Sequence, residues 1–134
     1  MSEVQVLINP AVGRGYSTTT AHGTKAGGFV FVTGQVAVKP GQDGNKKREG
    51  ITEMGKLAEQ TVQVLENIKA ILEYAGSSLK HVAKRNIYLT HAQDFDEVHG
   101  IIEKYFGPMA STTVVSGLIP ASARIEIEVI ALAP

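Results

Sequence analysis

The stretch "RIEIEVIAL", residues 124–132, alternates with a period of two. In a strand, Ile125, Ile127, Val129 and Ala131 point one way, and Arg124, Glu126, Glu128, Ile130 and Leu132 the other. Both sides therefore carry apolar side chains. "FVFVT", residues 29–33, does the same, with Val30 and Val32 opposed to Phe29, Phe31 and Thr33. A sheet of such strands needs cover on two faces. Two amphipathic helices are on offer. Residues 52–75 place Leu57, Thr61, Val64, Leu65, Ile68, Ile71, Leu72 and Ala75 at helical spacing, with Gly76 as the residue just past the end. Residues 95–106 align Phe95, Val98, Ile102 and Phe106; Asp94 and Glu97 have capping-box spacing, and Gly107-Pro108 stops the run. Two helices cover one face. Exposed apolar surface on the scale of a sheet face usually marks an interface. The pattern therefore predicts a homo-oligomer, with Thr33 and Glu126 near its seam.

Further strands are predicted at 81–90 and, after Pro108, at 111–116. The threonine-rich segment 16–22 is expected to pair with 29–33 as a hairpin through Gly23 to Gly28. Residues 39–50 read as a long polar loop. The order β-β-α-β-α-β-β, a mixed sheet with two helices on one face, is an α+β sandwich. At 134 residues the chain, 1–134, is expected to be a single domain with a real core.

Formal net charge is zero. The basic residues are scattered apart from Lys46, Lys47 and Arg48 and the run from Lys80 to Arg85, both read as solvated charge. Nucleic-acid binding normally shows a basic surplus or stripe, so this balance argues against it. Without cysteine there is no disulfide, thiolate metal site or cysteine nucleophile. His22, His81, His91 and His99 lack ligand-pair spacing, so no metal is expected. No apolar run approaches a membrane span, and "MSEVQVLINP" is not a secretory signal; the expectation is a soluble, cytoplasmic protein with no membrane partner. No phosphate loop, dinucleotide fingerprint or nucleophile elbow is present.

What remains is a set of polar residues on apolar elements. Glu126 reads either as a sheet-edge carboxylate or as a functional group. Tyr16 reads as a rim aromatic or a ligand cover. Gly34, after Thr33, either lets a ligand approach the backbone or makes a turn. His99 lies beside the apolar stripe of the second helix. In "PMASTTVVSG", the hydroxyls of Ser111, Thr112 and Thr113 are either strand filler or the wall of a cleft.

Taken together, "VFVTGQVAV", "LENIKAILEYAG", "KRNIYLTHAQDFDEVHGIIEKYFG" and "TTVVSGLIPASARIEIEVIAL" resemble the Rid/YjgF family of reactive-intermediate deaminases, also called the endoribonuclease L-PSP family. The resemblance spans residues 14–133. It implies a chorismate-mutase-like fold, a homotrimer with small-molecule clefts between subunits, and no cofactor. The implied chemistry is hydrolysis of small reactive enamines and imines, such as 2-aminoacrylate. A non-catalytic metabolite-binding protein is the alternative; ribonuclease activity, implied only by the older label, fits the neutral charge poorly.

Carried onto this chain, the resemblance makes Glu126 the residue that handles water. Tyr16, Thr33, Gly34, His99, Ser111, Thr112 and Thr113 become the substrate-binding set. In well-known members an arginine clamps the substrate carboxylate; its position here is Ser111. Hydrogen bonds to charged groups are worth about 1.5–3 kcal/mol and neutral ones about 0.5–1.5. The chain is therefore expected to be a poor 2-aminoacrylate deaminase unless Arg14 or Arg124 compensates. Arg124 is expected alternatively to pair with Glu126, on its own strand face.

Overall fold

The structure is a computed structural model and describes residues 3–15, 19–42 and 54–134. Eight elements follow in the order β1 (Gln5–Leu7), β2 (Gly23–Ala26), β3 (Phe29–Gln35), α1 (Leu57–Tyr74), β4 (Val82–Leu89), α2 (Phe95–Ile102), β5 (Ser111–Val115) and β6 (Ile125–Leu132). The strands form one mixed sheet in the order β1-β2-β3-β6-β4-β5. Neighbours run antiparallel except β4 and β5, which are parallel.

The hairpin differs from expectation. Gly27 and Gly28 have φ of 58° and 85°, the left-handed values of a two-residue turn. So tight a turn obliges pairing to begin at once, and Ala26 meets Phe29. The strand paired with β3 is therefore Gly23–Ala26, later than the expected 16–22, of which residues 16–18 lie outside the described residues. β1, too short to stand out by pattern, adds an outer strand through Gln5–Leu7 against β2.

Helix α1 starts at Leu57, later than the spacing suggests. Gly55, at φ 82°, turns the chain, and Glu59 Oε1 accepts the Lys56 amide at 3.0 Å. Its far end behaves as expected. Gly76 adopts φ 82°, its amide bonds Glu73 O at 3.0 Å, and that of Ser77 bonds Leu72 O at 2.8 Å. The stripe of Leu57, Val64, Leu65, Ile68, Ile71 and Leu72 is buried against Val30, Ile87, Ile125, Ile127 and Val129 of the sheet.

Three polar residues of α1 are also buried; the Thr61 hydroxyl donates to Leu57 O at 2.7 Å. Asn67 Nδ2 donates to Val38 O at 2.8 Å. Gln60 Nε2 donates to Ser122 O at 2.9 Å, while its Oε1 accepts the Arg124 amide at 2.9 Å. The helix thus holds the approach to β6.

Helix α2 ends at Ile102 and the chain continues in turns to a buried Phe106. Phe95 is 46% exposed and does not join the buried stripe; it stacks on His99 with ring centres 4.1 Å apart. Asp94 does not cap the helix with its side chain. It closes a preceding 3-10 turn in the α region, whereas a capping residue is normally extended. Its buried carboxylate instead receives Arg124 Nη2 at 2.8 and 2.9 Å. Arg124 is thereby paired with Asp94 and not with Glu126.

The face of the sheet away from the helices is uncovered in the single chain. Phe29, Phe31 and Leu132 are 40, 42 and 48% exposed. The expected alternation holds along β6, with Ile125, Ile127, Val129 and Ala131 buried on the helix side. No helix among the described residues is long and apolar enough to cross a membrane.

Candidate functional site

Between Val32, paired with Val129, and Gln35, paired with Ile127, β3 has two residues where β6 has one. Thr33 and Gly34 form this bulge. It brings the Gly34 backbone against the Glu126 carboxylate so closely that an added Cβ would strike Oε2. Thr33 is held as well: its hydroxyl donates to Ala21 O at 2.7 Å and its amide to His22 O at 2.9 Å.

These residues open into a cleft of about 330 Å³, whose wall also includes Gly13, Arg14, Ile119 and Pro120. Burial, and then the neighbouring charge of Glu128, holds the Glu126 carboxyl above the ordinary glutamate range. Glu128 is itself engaged, accepting Tyr88 Oη at 2.5 Å and Asn86 Nδ2 at 3.3 Å. Arg14 faces the same cleft, with Nη2 on Thr20 O at 3.1 Å. Tyr16 and the basic residues 46–48 lie outside the described residues.

His22, which sequence reasoning left unassigned, backs this cleft. Its Nδ1 accepts the Asn9 amide at 2.9 Å, so Nε2 carries the proton and donates to Gly13 O at 2.9 Å. Burial lowers its pKa, the Gly13 bond opposes that shift, and the Arg14 charge adds to it. The neutral ring ties the 9–13 segment to β2.

The remaining site residues lie elsewhere. Ser111 and Thr113 face α2: Arg85 Nε donates to Ser111 Oγ at 2.9 Å, and His99 Nε2 and Thr113 Oγ1 share a bond of 3.2 Å. Thr112 points to the opposite face and accepts Lys84 Nζ at 3.0 Å. The three successive hydroxyls are thus divided by the pleat of the strand. His99 sits in a groove of about 570 Å³ with Arg85, Glu103, Lys104 and Phe106. Burial, then the charge of Arg85, lowers the His99 pKa, against a weaker pull from Asp96.

Arg85 corrects the reading of the 80–85 run as solvated charge: it is only 8% exposed. The strand alternation that buries Ile87 and Leu89 buries Arg85 with them.

The structure therefore gathers the candidates into two groups. Glu126, Gly34 and Thr33 form one, Ser111, Thr113 and His99 the other. They do not meet within a single chain. β4 separates β5 from β6, a distance of roughly 10 Å at ordinary strand spacing, and Glu126 and Ser111 point to opposite faces. Among the described residues no group of three or more histidines and carboxylates could hold a metal ion.

Comparison with known proteins converges on one family. The sequence profile described as Endoribonuclease L-PSP matches residues 9–133. A RutC family protein of Pyrococcus horikoshii is 41% identical over 109 residues, covering 80% of this chain and 81% of its own. The crystal structure of the yeast protein YEO7 superposes with a TM-score of 0.85 at 28% identity, over 98% of this chain and 100% of that one. RidA from an Antarctic Psychrobacter gives a TM-score of 0.82 at 28% identity, over 96 and 98%.

Proposed function

Because the chain belongs to the Rid/YjgF, or endoribonuclease L-PSP, family, we propose that it hydrolyses a small reactive imine or enamine in clefts between the subunits of a homotrimer. The observation that carries this reading is the Glu126 carboxyl. It is partly buried, its pKa is raised, and it lies against bare backbone at Gly34. A raised carboxyl pKa suits a group that must both take up and give back a proton near neutral pH.

The steps need only water. An enamine first gains a proton on carbon from water and loses one from nitrogen to water, giving the imine. Water attacks the imine carbon, its oxygen forms the new C–O bond, and the C=N π pair moves to nitrogen. Glu126 takes the proton released by water and returns it to nitrogen. Glu126 then takes the hydroxyl proton of this carbinolamine and passes it to nitrogen as the C–N bond breaks; the oxygen pair forms the C=O, ammonia leaves, and the carbonyl product remains. Thr33 and the Gly34 backbone would border the reacting atoms.

The division of candidates between two faces favours a cleft completed by a second copy, which would bring the Ser111, Thr113 and His99 group to another subunit's Glu126. The uncovered face bearing Phe29, Phe31 and Leu132 supplies apolar surface for that assembly.

The test is ammonia release from freshly generated imines by wild type and Glu126→Gln. General acid–base catalysis typically contributes about 10²–10⁴-fold, and a loss of that order is expected in the variant. Equal rates would defeat the assignment of Glu126. A ligand retained unchanged by wild type after long incubation would mean that the cleft only binds.

A further inference from the structure

We propose that Arg85 recognises an anionic group on the ligand, a carboxylate, in the groove between β4, β5 and α2, and that Ser111 orients it. This deepens the preceding reading and rests on it: the substrate would be an imine or enamine that carries a carboxylate.

A guanidinium stays charged in proteins. Burying it without a counter-charge is strongly unfavourable, so buried arginines normally meet a carboxylate. Arg85 meets none. The single ion pair among the described residues is Arg124 with Asp94. Arg85 Nε is taken by the neutral Ser111 hydroxyl, and Nη1 is buried without a hydrogen-bond partner. Beneath the guanidinium lies the Phe106 ring, 5.3 Å from Cζ to ring centre, a contact that favours a cation and limits its tilt.

The groove beside it contains Lys104 as a second cation and Glu103 as its one carboxylate, which forms no ion pair with Arg85. His99 and Thr113 add polar atoms at the same end. With Nε on Ser111 Oγ, the Nη end of the guanidinium keeps donors that meet no acceptor among the described residues, and such an end matches a carboxylate.

The parallel register explains why Ser111 goes with Arg85. The two are direct partners across β4 and β5. A guanidinium rising from β4 therefore occupies the space that a long side chain at 111 would fill. Serine is small enough to leave that space and polar enough to fix Nε. The charge absent from β5 is supplied by its neighbour strand.

The test reads binding without turnover, so it stands whether or not any imine is hydrolysed. The full-length protein is titrated with 2-oxobutanoate and, separately, with its neutral amide, by calorimetry and by amide NMR. Wild type should bind the carboxylate at least about tenfold more tightly than the amide, with shifts at Ser111, Thr113 and His99. Arg85→Gln should lose that preference and Arg85→Lys keep part of it. Equal affinity for acid and amide in wild type, carboxylate affinity unchanged in Arg85→Gln, or shifts confined to other residues would each overturn the proposal. If Arg85→Gln does not fold, the acid-against-amide comparison in wild type decides alone.

Discussion

A methyl group on Gly34 would run into Oε2 of Glu126, with Cδ and Cγ of the same side chain next in its path. The bulge at Thr33-Gly34 and the candidate catalytic carboxylate are therefore one unit. Gly34→Ala should push the carboxylate aside without unfolding the chain, because the obstructing atoms end a flexible side chain. Overpacking of this kind costs about 1–3 kcal/mol. Turnover should fall further, by about 10²-fold, as a displaced catalytic group does. Urea denaturation and steady-state kinetics on the same preparation separate the two effects; an active Gly34→Ala protein would mean that the carboxylate position is not critical.

Assembly is testable directly. Light scattering should give about three times 14.3 kDa for the wild type. Phe31→Glu places a charge on the uncovered sheet face and should reduce the mass to that of one chain, with imine hydrolysis lost in parallel. A wild-type monomer at micromolar concentration would remove the shared cleft altogether.

Two titrations act on stability with opposite sign. Glu126 is raised by burial and by Glu128, so the native state keeps a proton that the unfolded chain has released. Stability from this group falls as pH rises from about 4.3 through the native value. His22 is lowered, chiefly by burial, so the unfolded chain takes the proton first. Its contribution is complete above about pH 6.5 and is lost as pH falls from there to the native value. Glu126→Gln should therefore be more stable than wild type at pH 7, and the difference should vanish below about pH 4. Urea melts across that range check it; a difference independent of pH would contradict the assigned shift.

The pair of Asp94 and Arg124 should respond unequally to its two deletions. Asp94 is 7% exposed at the side chain and Arg124 43%. Arg124→Ala leaves a buried carboxylate without its partner and should cost about 3–5 kcal/mol. Asp94→Ala frees a guanidinium that can reach water and should cost less, about 1.5–3 kcal/mol. Denaturant midpoints of the two variants give the order.

The features legible in the sequence are those set by neighbours on one element. The α1 stripe, the alternation of β6 and the apolar side of Phe29 and Phe31 follow from spacing alone, and the structure has them. The family was legible for the same reason, since its motifs are contiguous. Partners distant in the chain were not. Asp94 had a capping spacing, but a cation 30 residues later takes its carboxylate. Arg85 stood among lysines, and only parallel pairing with a strand 26 residues on sets it beside Ser111. The hairpin was misplaced because both Gly27 and Gly28 adopt positive φ, a choice that glycine permits but does not dictate.

The Gln60 side chain grips the chain on the N-terminal side of β6, at Ser122 O and the Arg124 amide. The grip sets where the chain enters β6, and pairing with β3 and β4 carries the register on to Glu126. Ile119 and Pro120, on the other side of it, border the Glu126 cleft, and Ile119 is 82% exposed. Pro120 is buried, with its carbonyl on the Ala123 amide, so Ile119 is the part of this rim that is free to vary. Under the proposed reaction, substitution of Ile119 should reshape what enters while the position of the acid stays constant, so that ligand preference changes apart from bond-breaking chemistry.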